Sequence, residues 1–214
     1  GKLLNAGQTC IAPDYVLLPQ GQEAAFEQAY GRAVSRLFPR ITGNADYAAI
    51  ISPRHLARLQ HLLDEAQAQG AVVRQIAPAG DDGEKGAGRQ MLPTLVTQTR
   101  DSMTLMQEEI FGPVLSVLPY AALDEAIGYI NARPRPLALY WFGPDTAARD
   151  AVLGRTVSGG VTVNDTLMHI AHENLPFGGV GDSGWGAYHG ETGFLRFTQQ
   201  KPVLVQSRWA ASSL

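Results

Sequence analysis

Cys10 is the only cysteine of the 214-residue chain, and its thiol is the first candidate for chemistry. It follows the flexible Gly7 by three positions, in a segment that reads Asn-Ala-Gly-Gln-Thr-Cys-Ile-Ala-Pro. A thiolate is a strong nucleophile near neutral pH and forms covalent thioester or thiohemiacetal intermediates. A free cysteine is also among the most buried residue types and often acts only as a small apolar side chain. The glycine nearby favours the reactive interpretation, because a reactive thiol needs exposure and neighbouring donors.

Two later motifs accompany the cysteine. Residues 108–114 read Glu-Glu-Ile-Phe-Gly-Pro-Val, and residues 174–181 read Asn-Leu-Pro-Phe-Gly-Gly-Val-Gly. With the cysteine motif at 7–15 and the ending Ser-Gly-Trp-Gly-Ala-Tyr-His-Gly at 183–190, the chain resembles the aldehyde dehydrogenase superfamily. The residues at 7–15 and 183–190 are similar to those of the class 3 branch, which includes fatty, aromatic and coniferyl aldehyde dehydrogenases. The resemblance covers essentially the whole chain and is specific because the motifs occur together and in the family's order.

The resemblance implies a role for each motif. Cys10 would attack the aldehyde carbon, and its backbone N–H would stabilise the oxyanion that forms. Hydride would leave to the nicotinamide of NAD or NADP, and hydrolysis of the thioester would release a carboxylate. Glu109 would accept hydrogen bonds from the nicotinamide ribose, Phe111 would pack beside it, and Phe177 would line the aldehyde pocket. Without the motifs, Glu109 would be interpreted as a solvated carboxylate and the two rings as packing residues.

The histidines leave other interpretations open. His169 and His172 have a spacing that invites a metal site, but no His-Glu-x-x-His motif or cysteine-rich partner accompanies them. We therefore expect no metal and place His169 in the wall of the substrate channel. A cysteine hydrolase that pairs Cys10 with His169, His172 or His189 is the alternative enzyme class. The non-enzyme alternative is a truncated domain with a structural or interaction role.

Composition excludes several other classes. Hydrophobic residues make up 45% and charged residues 17%, and the net charge of −3 comes without a basic block. We therefore expect no nucleic-acid partner and no anionic membrane partner. A single cysteine excludes an intrachain disulfide and suits a reducing cytoplasm. We find no signal peptide and no apolar run long enough to cross a bilayer. Composition therefore predicts a soluble cytoplasmic protein. The family resemblance implies a small aldehyde as the substrate and a homodimer in the parent enzyme.

An alternation of strands and helices must position the motifs. The patterns predict strands at 15–19, 71–76, 114–119, 137–142 and 160–164, and helices at 24–38, 53–69, 123–132 and 146–154. Apolar strands separated by helices predict a three-layer α/β/α domain with a mostly parallel sheet. Residues 80–88 are predicted to form a polar surface loop. Residues 179–184 match Gly-x-Gly-x-x-Gly, but they lack a strand-to-helix context and are interpreted as a loop that permits close backbone approach.

The family resemblance also implies what these residues do not contain. In the family, the nucleotide-binding domain, the general-base glutamate and the oxyanion asparagine lie upstream of the cysteine, so Asn5 is not that asparagine. We therefore expect residues 1–214 to be the catalytic domain alone, with poor cofactor binding and negligible aldehyde oxidation by itself. The former interdomain face, together with the apolar segment 202–205, is expected to favour self-association.

Overall fold

The structure, a computed structural model, describes residues 1–81 and 88–206. The strands are β1 (Tyr15–Pro19), β2 (Val72–Gln75), β3 (Thr94–Thr97), β4 (Val114–Tyr120), β5 (Ala138–Trp141) and β6 (Gly160–Val163). The α-helices are α1 (Glu23–Leu37), α2 (Pro53–Ala68), α3 (Leu123–Asn131), α4 (Thr146–Arg155), α5 (Met168–Ala171) and α6 (Gly190–Arg196). Short 3₁₀ turns lie at Leu4–Gly7, Thr104–Met106 and Gly181–Ser183.

The strands of the described residues form two sheets. The first has the order β1-β4-β3-β2, in which β4 is parallel to both of its neighbours and β2 is antiparallel to β3. Strands β5 and β6 form a separate parallel pair. The mostly parallel α/β arrangement confirms the predicted fold class. The antiparallel edge strand and the division into two sheets are features that the apolar pattern did not predict.

Helices cover both faces of the four-stranded sheet. Neighbouring residues of a pleated strand point to opposite faces, and β3 shows this directly. Val96 belongs to the buried cluster that contains Leu59 of α2, whereas Leu95 belongs to the cluster against which Phe26 of α1 packs. The sheet is therefore the middle of three layers, with α2 on the side that reaches the cysteine motif.

The start of α2 is set by its sequence. The Ser52 side chain accepts a hydrogen bond from the His55 backbone N–H at 3.1 Å, and Pro53 occupies the first helical position. Both residues suit a helix N-terminus, because proline has no N–H to leave unsatisfied and serine caps a free one. Leu59 and Leu62 of the same helix are buried, and the helix predicted at 53–69 is confirmed as Pro53–Ala68.

Several short elements were not predicted. They are β3, α5 and α6, each of four to seven residues, which is too short to show a clear period. Residues 82–87 of the predicted surface loop and 207–214 of the C-terminus lie outside the described residues. Residues 201–206 have no regular secondary structure, and Leu204 is 94% exposed. Within the described ranges, no helix has the length and apolarity needed to cross a membrane.

Candidate active site

The turn before Cys10 has an unusual backbone. Asn5, Ala6 and Gly7 have φ values of 50°, 53° and 74°, all in the left-handed region. A Cβ added to Gly7 would lie 2.2 Å from the carbonyl oxygen of Gly112. Only glycine avoids both the strain and the collision. The cysteine turn is therefore in direct backbone contact with the Glu-Ile-Phe-Gly loop, although about a hundred residues separate the two motifs in sequence.

Gln8 fixes this turn to the segment before α2. Its buried amide nitrogen donates to the carbonyl of Ala49 at 3.1 Å and to that of Asn5 at 3.0 Å. Its amide oxygen accepts from the Ile51 backbone N–H at 2.9 Å. The amide thus satisfies backbone groups on two segments at once. Cys10 comes two residues later and is exposed. The thiol is therefore carried by a backbone segment that the hydrogen bonds of Gln8 hold in place.

A partly buried ion pair joins the two motifs on the other side. Lys2 is 4% exposed, and its ammonium lies 3.2 Å from Oδ1 of Asp14. The second oxygen of Asp14 accepts from the Ile110 backbone N–H at 3.3 Å. Burial lowers the pKa of Lys2, and the Asp14 carboxylate opposes that shift. Because a buried charge must be paired, this pair fixes the relative position of the cysteine segment and the Glu109 loop.

The first turns of α2 hold the Glu109 loop. Arg58 donates to the carbonyl of Glu109 at 3.0 Å and also to that of Ile110. The Nε2–H of His55 donates to the carbonyl of Phe111 at 2.8 Å. Phe111 itself has a φ of 52°, a conformation that costs energy for a bulky residue and persists only when its surroundings hold it. The hydrogen bonds from His55 and Arg58 stabilise this conformation of the loop.

The Glu109 side chain is exposed beside an open groove. The groove has a volume of about 580 Å³ and is lined by Ile51, Ser52, Arg54, His55, Arg58 and Phe111. Partial burial raises the pKa of Glu109, and the Asp14 carboxylate adds to this rise, while Arg58 and Lys2 oppose it. The loop therefore presents an exposed carboxylate and, two residues later, a ring that lines the groove.

Aromatic side chains form a second cluster around Phe177. The Phe177 ring centroid lies 5.9 Å from that of His169, 5.7 Å from that of Tyr188 and 6.0 Å from that of His189. These separations lie in the range of favourable ring pairs. Tyr140 extends the cluster through a 6.1 Å contact with His169. The two residues predicted to contact the substrate, Phe177 and His169, are therefore neighbours.

His169 is held inside this cluster. Its Nδ1 and the hydroxyl of Thr162 are 2.8 Å apart, and its side chain packs on Gly160, where a Cβ would lie 2.6 Å from the ring. Burial lowers its pKa, so the ring stays neutral near pH 7. Its Nε2 has no hydrogen-bond partner among the described residues.

The aldehyde dehydrogenase family model matches residues 1–203. The chain belongs to the aldehyde dehydrogenase family. It is 55% identical over 206 residues to a probable coniferyl aldehyde dehydrogenase of Caulobacter vibrioides, covering 96% of this chain and 42% of that protein. The chain thus spans less than half the length of this curated relative.

Solved structures of aldehyde dehydrogenases share the fold. The substrate-bound enzyme of Staphylococcus aureus has a TM-score of 0.78 and 39% identity, over 96% of this chain and 44% of that one. A variant of betaine aldehyde dehydrogenase from the same species, in complex with NAD⁺, has a TM-score of 0.76 and 30% identity, over 94% and 42%. Membership of the family confirms the resemblance predicted from the motifs.

The described residues show where the histidines of the alternative interpretations lie. No hydrogen bond joins Cys10 to a histidine in residues 1–81 and 88–206, and His172 is exposed. The same residues contain no group of three or more His, Cys, Asp or Glu side chains placed to hold a metal ion. The Gly-x-Gly-x-x-Gly segment at 179–184 contains only a three-residue 3₁₀ turn, Gly181–Ser183. A Cβ on Gly179 would lie 2.1 Å from the Ser183 carbonyl oxygen, so this glycine serves a tight backbone contact within its own loop.

Sequence reasoning missed the side chains that support the site. They are Lys2, Gln8, His55, Arg58 and Tyr140. None of them lies in the quoted ligand motifs at 108–114 or 174–181, and each acts on a backbone group or a charge that is distant in sequence. The spacing of His55 and Arg58 on one face of α2 is a usable signal, because residues three apart on a helix are neighbours.

Proposed function

We propose that this chain is the cysteine-bearing catalytic domain of an NAD(P)-dependent aldehyde dehydrogenase, which oxidises an aldehyde to a carboxylate. One observation carries the proposal. The turn that presents the exposed Cys10 thiol packs directly on the loop that presents Glu109 and Phe111, at the Gly7–Gly112 contact. A nucleophile and a cofactor-binding loop must be this close for the reacting groups to meet. Family membership supports the same reaction.

Cys10 acts as the nucleophile in this proposal. Its thiolate attacks the aldehyde carbon, and the C=O electron pair moves to oxygen, where the backbone N–H of Cys10 can donate to it. The hydrogen bonds of Gln8 and the Lys2–Asp14 pair hold the backbone on both sides of the thiol. Because these contacts are already formed, little reorganisation is needed when charge develops.

The groove beside Phe111 fits a nicotinamide cofactor. The exposed Glu109 carboxylate can accept hydrogen bonds from ribose hydroxyls, and the Phe111 ring can pack against a planar group. His55 and Arg58 hold the backbone of both residues in place. When bound, the oxidised nicotinamide supplies a hydride acceptor. The NAD⁺ complex of the Staphylococcus aureus betaine aldehyde dehydrogenase supports this cofactor class.

The Phe177 cluster forms the substrate side in this proposal. Its rings favour an aromatic aldehyde, because aromatic pairs gain energy beyond the area that they bury. The naming of the Caulobacter vibrioides relative as a probable coniferyl aldehyde dehydrogenase supports coniferyl aldehyde as a member of that class. Phe177 contacts the substrate ring, and the neutral His169 completes the wall behind it.

The remaining proposals concern the cellular context. We place the enzyme in the cytoplasm, where a lone exposed thiol stays reduced, and propose that it forms a homodimer. The described chain by itself would bind the cofactor weakly and oxidise aldehydes negligibly, because its open groove supplies only one side of a cofactor site. Large exposed apolar side chains such as Trp185, at 97% exposure, support burial against another surface.

Glu109→Gln in the enzyme expressed from the complete reading frame tests the cofactor role. Replacing the carboxylate weakens its hydrogen bonds to ribose, so we expect kcat for aldehyde oxidation to fall about 10-fold or more. Ester hydrolysis at Cys10 needs no hydride transfer and should change less than about twofold. Glu108→Gln is the matched control, because Glu108 is an exposed carboxylate on the same loop. Equal loss of both activities in Glu109→Gln would contradict the assignment.

A further inference from the structure

We propose that Tyr140 is a positioning residue for the nucleophile: its hydroxyl fixes the Ile11 carbonyl and so holds the Cys10 turn for attack on a carbonyl carbon. The inference rests on the proposed role of Cys10. It assigns a function to a residue of β5 that lies about 130 positions away in sequence and outside every motif described above.

The geometry of the contact is specific. The Tyr140 hydroxyl donates to the Ile11 carbonyl at 2.7 Å. Ile11 is buried, and the Ala12 N–H donates to the Thr9 carbonyl at 3.1 Å, which closes a turn with Cys10 and Ile11 at its centre. The Tyr140 hydrogen bond therefore acts on the peptide that follows the nucleophile.

No other described side chain donates or accepts a hydrogen bond at the backbone of this turn. Gln8 holds the chain before it and Asp14 holds the chain after it. Among the side-chain hydrogen bonds of residues 1–81 and 88–206, that of Tyr140 is the one made to the backbone of residues 9–12. Without it, the central peptide would rely on a single turn hydrogen bond. A backbone N–H that must meet a developing oxyanion tolerates little misplacement.

Tyr140 also connects the nucleophile to the substrate side. It pairs with Thr162 across β5 and β6, and the Thr162 hydroxyl in turn contacts His169. Burial raises the pKa of Tyr140 to about 12, while a hydrogen bond with the Leu167 backbone opposes the rise and the nearby Cys10 adds to it. The hydroxyl therefore stays protonated and able to donate near neutral pH.

Two reactions of Cys10 separate positioning from general stability. Acylation by p-nitrophenyl acetate passes through an oxyanion, whereas alkylation by iodoacetamide does not. In the enzyme from the complete reading frame, Tyr140→Phe should slow acylation about 10-fold, because the oxyanion donor is misplaced. Alkylation should change less than about twofold, because it needs only an accessible thiolate.

Tyr47→Phe is the matched control. Tyr47 also donates to a backbone carbonyl, that of Met91 at 2.9 Å, but in a buried cluster that contains none of residues 9–12. Tyr47→Phe should keep the rates of acylation and alkylation within about twofold of the wild type. Its melting temperature should fall about as much as that of Tyr140→Phe, because each variant loses one hydrogen bond. If Tyr140→Phe does not fold, 4-methylphenylalanine at position 140 fills the space of the hydroxyl without donating, and 4-aminophenylalanine restores a donor and should restore acylation.

The outcomes are distinct. Normal acylation in Tyr140→Phe, an equal loss in Tyr47→Phe, or an equal loss of acylation and alkylation would each overturn the positioning role. Cys10→Ser is measured in parallel: acylation that persists in that variant would contradict the proposed function itself. If Cys10→Ser is not acylated but Tyr140→Phe is acylated at the wild-type rate, only the positioning role of Tyr140 is contradicted.

Discussion

The two sides of the candidate site are held by different forces. On the cysteine side, polar side chains such as Lys2, Gln8 and Arg58 bind backbone groups and charges of distant segments. On the aromatic side, the backbone of Phe177 pairs with that of Tyr188, but the Phe177 side chain is held by ring contacts with His169 and its neighbours. Hydrogen bonds have narrow distance and angle preferences, whereas ring contacts tolerate a range of separations.

This difference suits the proposed reaction. A nucleophile and an oxyanion donor must be positioned within a fraction of an ångström. A pocket wall that receives an apolar ring needs mainly the correct shape and an apolar surface. We therefore expect changes on the cysteine side to have larger effects than changes of similar size on the aromatic side.

Gly7→Ala should have the largest effect on stability. The added methyl group would occupy a position 2.2 Å from the Gly112 carbonyl oxygen, at a φ of 74°. Strain and overpacking together should cost about 3 kcal/mol of the free energy of unfolding, measured by urea denaturation. The added methyl group should also move the cysteine turn away from the Glu109 loop and so reduce aldehyde oxidation.

Gly21→Ala provides the control for backbone strain alone. Gly21 has a φ of 87°, but no atom lies within 4 Å of the added Cβ. Its cost should be about 1 kcal/mol, from the left-handed backbone only. If both variants lose a similar free energy of unfolding, the contact between Gly7 and Gly112 contributes little to stability. The expectation that the cysteine side is more sensitive than the aromatic side would then be wrong.

His169→Gln should have a smaller effect, and that effect should depend on pH. At pH 7.5 the variant should lose about 1 kcal/mol, because the hydrogen bond with Thr162 is disturbed. Burial lowers the pKa of His169 below its ordinary value of 6.5, so the unfolded chain takes up a proton before the folded one does. Wild-type stability should therefore fall as the pH drops through and below 6.5, while the variant avoids this loss.

The measurement is the melting temperature of each protein between pH 7.5 and pH 5. The difference in melting temperature between the wild type and His169→Gln should become smaller as the pH approaches 5. His61→Gln, at an exposed position of α2, is the control and should follow the wild type. A constant gap would show that His169 does not titrate as a buried group.

Much of the fold was predictable because its elements carry local signals. The cap at Ser52 and the leucines of α2 define that helix from neighbouring residues alone. The division into two sheets was not predictable, since β5 and β6 have apolar sequences like that of β4, and nothing in them indicates that they pair only with each other. Strand pairing depends on tertiary packing, which a pattern along one chain does not contain.

The site shows the same contrast. The motifs around Cys10, Glu109 and Phe177 predicted candidate residues, because their types and order are distinctive. The supporting hydrogen bonds of His55 and Tyr140 were not predictable. They reach across 56 and 129 positions respectively, and a polar side chain in a helix or strand gives no local sign of its distant acceptor.

The most direct test of the account is Cys10→Ser in the enzyme expressed from the complete reading frame. A serine hydroxyl is a much weaker nucleophile without a matched base, so we expect kcat for aldehyde oxidation to fall about a thousandfold or more. The melting temperature should stay close to that of the wild type, because Cys10 is exposed and the exchange changes one atom. Turnover within about tenfold of the wild type would contradict the central claim that this thiol is the nucleophile.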